Sequence, residues 1–222
     1  MQKLIVANWK NNPVSVAEAI KLAKETDHEN LVICPPFNFL RDVASVIKKS
    51  PLGAQDLIES SVSELKSLGV RYVIIGHSDR RKLGETNEII AQKIAIAVKE
   101  GFMPILCVGE TWKEKQSGKK EEVLREQIKP ASQKFEIRNS KFEIYVAYEP
   151  VWAISTSGSG QIDNPLESLE TIKFLKELVN AHFLYGGSVT SKNIRDYLKY
   201  EEIEGALVGG ASLLPEEILN MI

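Results

Sequence analysis

Short apolar runs alternate along the chain with longer stretches in which apolar positions recur three or four residues apart. Runs of four to six suit buried strands, whereas the longer spacing suits helices with one apolar stripe. Eight runs qualify as strands, at residues 3–8, 31–34, 52–54, 72–75, 103–108, 143–147, 182–185 and 206–208, with the third the weakest. Strand and helix patterns in strict alternation predict repeated βα units around a parallel sheet.

The helices between them carry end signals. Ser15 with Glu18, Ser61 with Glu64, and Asn164-Pro165 with Glu167 predict N-terminal capping arrangements that satisfy unpaired amides reciprocally. Gly69 and Gly101 stand where C-terminal caps belong. Ile90, Ile94, Ala97 and Val98 form one apolar stripe, and Leu169, Ile172, Leu175 and Val179 another. Eight such units either close into a (β/α)8 barrel or stay open as a doubly wound sheet with a glycine-rich fingerprint after its first strand. No GxGxxG follows Asn8, and chemistry-bearing residues recur after many different strands, so the expected fold is an α/β (β/α)8 barrel, one domain over residues 1–222.

A chain of 222 residues buries enough surface for a full core without disulfide or metal. Lys and Arg number 28 against 30 Asp and Glu, a net charge of −2 with no basic stripe, so a nucleic-acid partner is not expected. No apolar stretch approaches the roughly 20 residues of a bilayer span, which predicts a cytoplasmic protein without a membrane partner. Cys34 and Cys107 each follow an apolar run, as buried free thiols do. His28, His77 and His182 have no metal-ligand spacing, so no metal and no cofactor are expected.

The candidate chemistry sits where strands end. Gly186-Gly187-Ser188 follows the seventh strand and Gly209-Gly210 the eighth, the two loops where barrels bind phosphate through closely approaching amides. Either pair alone reads first as an ordinary turn; the two together, in these positions, favour the phosphate reading. The sixth strand ends at Glu149, beside Pro150, Val151 and Trp152, apolar surroundings suited to a general base. A salt-bridged strand-end carboxylate is the plainer alternative. His77 ends the fourth strand's segment, and Asn8 and Lys10 the first; singly, each also reads as a solvated or structural group. Together a base, a neutral donor, a cation and a phosphate grip suit proton abstraction beside a carbonyl.

Ordered segments along the whole chain carry a resemblance: Asn8-Trp9-Lys10, Cys34-Pro35-Pro36-Phe37, Gly53-Ala54-Gln55-Asp56, Gly76-His77-Ser78, Gly84-Glu85-Thr86-Asn87, Cys107-Val108-Gly109-Glu110, 147–152 (AYEPVW), Tyr185-Gly186-Gly187-Ser188 and 205–211. They resemble the triosephosphate isomerase family. The resemblance implies that Glu149 shuttles a proton between adjacent carbons of dihydroxyacetone phosphate and D-glyceraldehyde 3-phosphate through an enediolate, in glycolysis and gluconeogenesis. It implies that His77 polarises the carbonyl while neutral, that Lys10 supplies positive charge and that Asn8 orients the substrate. Ser155, Ser188, Gly187, Gly209 and Gly210 would hold the phosphate, with Ser78, Asp79 and Tyr185 supporting and residues 150–160 as a lid. A phosphate-gripping barrel of another reaction class, or a binding barrel that kept its pocket, shares only part of this pattern.

The sequence departs from the family in three places. Ser155 and Ser157 replace lid glycines, at a cost of about 1–2 kcal/mol wherever φ must be positive. Asp79 replaces a glutamate one methylene longer beside the catalytic lysine, predicting a poorer reach to Lys10. Only a stub joins Asp56 to the helix near Ser61, where the family carries a long loop that docks into a neighbouring subunit, predicting a monomer or weak homodimer.

Overall fold

The computed structural model describes residues 3–135, 144–154 and 163–222. Eight strands form one parallel sheet: β1 (Leu4–Asn8), β2 (Leu31–Cys34), β3 (Gly53–Ala54), β4 (Tyr72–Ile75), β5 (Met103–Val108), β6 (Tyr145–Tyr148), β7 (His182–Tyr185) and β8 (Gly205–Val208). The bonded order runs β2-β1-β8-β7-β6-β5-β4-β3. A parallel bridge between Ile33 and Leu52 joins the two ends, with the Ile33 amide donating to Pro51 O at 3.0 Å, so the sheet curls into a nearly closed (β/α)8 barrel. Among the described residues ten helices accompany the strands: α1 (Val16–Thr26), α2 (Leu40–Val46), α3 (Val62–Ser67), α4 (Ser78–Lys82), α5 (Asn87–Glu100), α6 (Trp112–Gln116), α7 (Lys120–Phe135), α8 (Pro165–Leu178), α9 (Ile194–Leu198) and α10 (Pro215–Leu219).

Side-chain alternation divides the core into two layers. Val6, Val32, Cys34, Tyr72, Ile74, Ile105, Cys107, Tyr145, Ala147, Leu184 and Leu207 pack on one another inside the ring. Their strand neighbours, such as Ile5, Ile33, Val73, Leu106, Val146 and Phe183, face the helices and join Ile90, Ile94, Ala97, Ile172 and Leu175 in a second cluster. Both expected helical stripes are therefore buried, except that Val179 lies just past the end of α8 and is half-buried. Cys34 and Cys107 are buried free thiols.

The end signals hold unevenly. Gly101 caps α5 with φ of 83°, and Gly69 follows α3 with φ of 75°, a left-handed conformation that only glycine adopts freely. Ser15 and Asn164 accept from the amides of Glu18 and Leu166, one-way caps rather than reciprocal boxes. Ser61 does not cap α3: its hydroxyl turns back to Ile58, donating to the carbonyl at 2.8 Å, a local bond that competes with capping. The reciprocal box lies instead at Thr111 and Glu114, ahead of α6. Strand β6 runs Tyr145–Tyr148, one residue beyond the expected end at 147, and Glu143 lies outside the described residues. No helix among the described residues is long and apolar enough to cross a membrane.

Gly205 shows how tightly the ring is drawn. A Cβ there would lie 1.9 Å from Leu4 O on the adjacent strand, backbone that cannot move without opening β1 from β8. Gly205→Ala should lower stability by about 1–3 kcal/mol; an unchanged denaturation midpoint in urea would contradict this packing.

Candidate active site

All strands being parallel, their C-terminal ends share one rim, and the loops there surround a cavity of about 140 Å³. Asn8 and Lys10 enter it from β1, His77 from β4, Glu149 from β6, Gly186, Gly187 and Ser188 from β7, and Gly209 and Gly210 from β8. Residues far apart in sequence thus converge as the segments above imply.

Glu149 is 4 % exposed and its carboxylate is paired on both oxygens. His77 Nε2 lies 2.9 Å from Oε1, and the Ser78 amide donates to Oε2 at 3.1 Å. On the other side of the ring, the Asp79 amide donates to His77 Nδ1 at 3.2 Å. A nitrogen that accepts carries no proton, so this imidazole is the neutral Nε2–H tautomer and its proton points at the carboxylate. The geometry joins a hydrogen-bond acceptor that can take a proton to a neutral donor, within one small buried pocket.

Lys10 is the single described non-glycine residue with positive φ, 54°. Such backbone costs of the order of 1–3 kcal/mol and needs outside support. Asn8 Oδ1 accepts from the Lys10 amide at 3.1 Å, and Gln55 Nε2 donates to Lys10 O at 2.8 Å and Cys34 O at 2.9 Å. The side chain turns into the cavity, and its ammonium stands 3.6 Å from Asp79 Oδ2. Asp79 thus forms an ion pair with Lys10, while its side chain remains 45 % exposed.

The glycine loops lie close against their neighbours. A Cβ on Gly187 would fall 2.1 Å from the Tyr185 hydroxyl, and one on Gly186 would press on Glu149. Tyr185 stacks on Tyr197 with ring centroids 4.0 Å apart, and its hydroxyl is buried. The Ser188 amide donates to Ala153 O at 3.1 Å, tying this loop to the start of the expected lid, where Val151–Ala153 form a 3-10 turn. Ser155 and Ser157 lie outside the described residues.

Several supporting groups escaped sequence reasoning. Glu110, fully buried after β5, accepts from Trp152 Nε1 at 2.9 Å and from the Tyr148 hydroxyl at 3.2 Å, anchoring the turn that follows Glu149. Lys115 sits 3.9 Å from the Trp152 ring centroid and pairs with Glu167 on α8. Asp56 joins Lys93, Arg80 and Glu85 in one ion cluster at the end of β3. Burial opposes ionisation of Glu85, yet hydrogen bonds from Lys93 and Arg80 outweigh it and hold its carboxyl below the usual range. Gln55, Asp56, Glu85 and Glu110 stand inside segments visible in the sequence, but no spacing rule assigns them partners.

These features define a (β/α)8 barrel with an acid-base pocket beneath two glycine loops. The family model of triosephosphate isomerase matches residues 3–222. Similar proteins include the triosephosphate isomerases of Dictyoglomus thermophilum, 39 % identical with 100 % of this chain and 98 % of that one aligned, and of Aquifex aeolicus, 37 % identical over 100 % and 99 %. The chain belongs to the triosephosphate isomerase family. The two alignments span 246 and 249 positions against 222 residues here, so those relatives carry residues that this chain lacks.

Asp163, just ahead of α8, gives the site's surroundings a pH signature. Burial raises its carboxyl to about 6 despite hydrogen bonding to Ser168. A folded-state value above the unfolded 3.8 means that the folded form binds the proton more tightly. Its stabilising contribution is complete below about pH 4 and lost as pH rises through about 6, at most about 3 kcal/mol. Asp163→Asn should flatten that segment of the stability-pH curve; an unaltered slope in denaturant titrations would refute the assignment.

Proposed function

We propose that the chain interconverts dihydroxyacetone phosphate and D-glyceraldehyde 3-phosphate, with Glu149 as the base and His77 as the electrophile. The observation that carries this reading is His77 Nε2 standing 2.9 Å from the buried carboxylate of Glu149, below Gly187, Gly209 and Gly210. A substrate oxygen entering between them takes over the His77 hydrogen bond. Glu149, released from His77 and the Ser78 amide, then removes a proton from the carbon next to the carbonyl. Negative charge gathers on the oxygen, where Nε2–H and the Lys10 ammonium stabilise it; Glu149 returns the proton to the adjacent carbon while the hydroxyl proton passes, by way of His77 Nε2, from one oxygen to the other. The steps move protons alone and need no redox partner.

The phosphate belongs at the β7 and β8 loops, with Ser188, Gly187, Gly209 and Gly210 as its donors and Ser155 as a further one from the lid. Freeing the Ser188 amide requires the bond to Ala153 O to break, which couples phosphate binding to the segment just after Glu149. Water exclusion by that segment would protect the intermediate.

For assembly, the reading is a monomer or weak homodimer. Supporting it, only residues 55–58 separate β3 from the turn before α3, and Asp56 is held on its own barrel by Lys93 and Arg80. A segment so short and so anchored has little to offer a neighbour. A second cleft, about 650 Å³, stands open beside it and is walled by Phe37, Ile58 and Leu83.

Turnover of glyceraldehyde 3-phosphate across a wide dilution series tests both proposals. Constant specific activity is expected, with kcat lowered about 100-fold or more by Glu149→Asp, which withdraws the carboxylate by about 1 Å, and by His77→Ala, which removes the donor. Absence of activity at every concentration would reject the isomerase reading, and a tight dimer at nanomolar protein would reject the assembly reading.

A further inference from the structure

Just past β5, Gly109 meets the backbone of Glu149 in a contact that allows no side chain. A Cβ on Gly109 would fall 1.8 Å from Glu149 O and 2.5 Å from Glu149 C. The residues on either side of Gly109 hold the same segment: Val108 O accepts from the Glu149 amide at 2.7 Å, and Glu110 O from the Val151 amide at 3.0 Å. Residues 108–110 are therefore the wall against which the backbone of Glu149 rests. The close approach demands glycine, and glycine brings the widest backbone freedom of any residue. Left alone, the wall would be its own weakest point.

We propose that Gln127, on α7, is a positioning residue for Glu149, acting through Gly109. Its amide grips both backbone groups of that glycine: Oε1 accepts from Gly109 N at 2.8 Å, and Nε2 donates to Gly109 O at 3.1 Å. Gly109 lies just past the paired residues of β5, so no ladder partner competes for these groups. Two bonds to one residue fix the orientation of both flanking peptides, which one bond cannot do. This role rests on the reading of Glu149 as the base.

The helix that carries Gln127 is itself held in register. Pro130 has no N–H and leaves Glu126 O, one residue before Gln127, without its intrahelical donor. Asn87 Nδ2 donates to that carbonyl at 3.2 Å, while Asn87 Oδ1 accepts from Arg81 Nη1 at 2.7 Å. Arg81 in turn donates to Gly76 O, just before His77, at 2.8 Å and to Cys107 O at 3.1 Å. A continuous set of polar contacts thus joins Gln127 to the strand ends that carry both His77 and Glu149.

The test compares steady-state kinetics of the full chain with Gln127→Ala and Gln127→Glu, each shown to be folded by circular dichroism. Gln127→Ala is expected to lower kcat by about 10- to 100-fold, the scale of a misplaced base, with KM changed less than threefold. Gln127→Glu carries the more telling readout. Its ionised carboxylate still accepts from Gly109 N but repels Gly109 O, whereas the protonated acid both accepts and donates like the native amide. Its kcat relative to the parent should therefore recover as pH falls through the carboxyl titration, and that of Gln127→Ala should not. Folded Gln127→Ala with kcat within twofold of the parent, or a Gln127→Glu ratio independent of pH, overturns the proposal. If Gln127→Ala does not fold, the Gln127→Glu profile decides alone. An inactive parent would count against the isomerase reading instead, so the two failures are distinct.

Discussion

A ring of parallel strands is free of exposed edges only if its thinnest join holds, and here that join is the bridge from Ile33 to Leu52 between β2 and the two-residue β3. Space at that point is set by β2. A Cβ on Gly53 would lie 2.4 Å from Cys34 Sγ and 3.0 Å from Val32 Cγ1, so the third strand can approach only as glycine. Immediately beyond, Gln55 spans the carbonyls of Cys34 and Lys10, and Asp56 enters the cluster with Lys93, Arg80 and Glu85. Closure of the barrel and placement of the lysine are thus one event. The strained backbone of Lys10 persists because β3, which has little strength in its own ladder, is tied down from both sides.

The same logic governs the buried charges. An ionised carboxylate taken out of water is costly unless its oxygens are satisfied, and Glu149, Glu110 and Glu85 meet that condition by different means. Glu149 holds one imidazole nitrogen and one backbone amide, with no Lys or Arg paired to it. Glu85 is locked between Lys93 and Arg80. Glu110 holds a Trp and a Tyr, groups that fix a turn. These carboxylates differ in their donors: an imidazole and an amide at Glu149, two cations at Glu85, an indole and a phenol at Glu110.

Much of this was legible in the sequence because hydrophobic periodicity is a local property. Strands β2, β4, β5 and β7 begin and end where the apolar runs do, and the glycines after α3 and α5 take the conformations their positions demand. Asn8, Lys10, His77 and Glu149 were visible because each closes a strand, and a parallel barrel gathers strand ends. What escaped depends on partners. Ser61 has the spacing of a cap but spends its hydroxyl on Ile58, while Thr111 and Glu114, with the same spacing, form the full box. Gln127 is one polar residue in a polar helix, and nothing in its neighbourhood of sequence says that it will meet Gly109. Asp163 belongs to no motif in the sequence and becomes notable only because burial and Ser168 enclose it.

The glycines make the deeper point about how such a site is built. Gly53, Gly109, Gly187 and Gly205 each occupy a place where a methyl group would strike a neighbouring strand or ring, so close packing selected them. Each also removes the side chain that would have stiffened its own backbone. At Gly205 the strand ladder restores the stiffness. At Gly53 the ladder to β4 does so, helped by the residues that follow. At Gly109 the ladder has already ended, and a side chain from the helical layer supplies what the sheet cannot. The precision of the pocket therefore depends on where the sheet stops, and the outer helices reach inward where backbone pairing runs out.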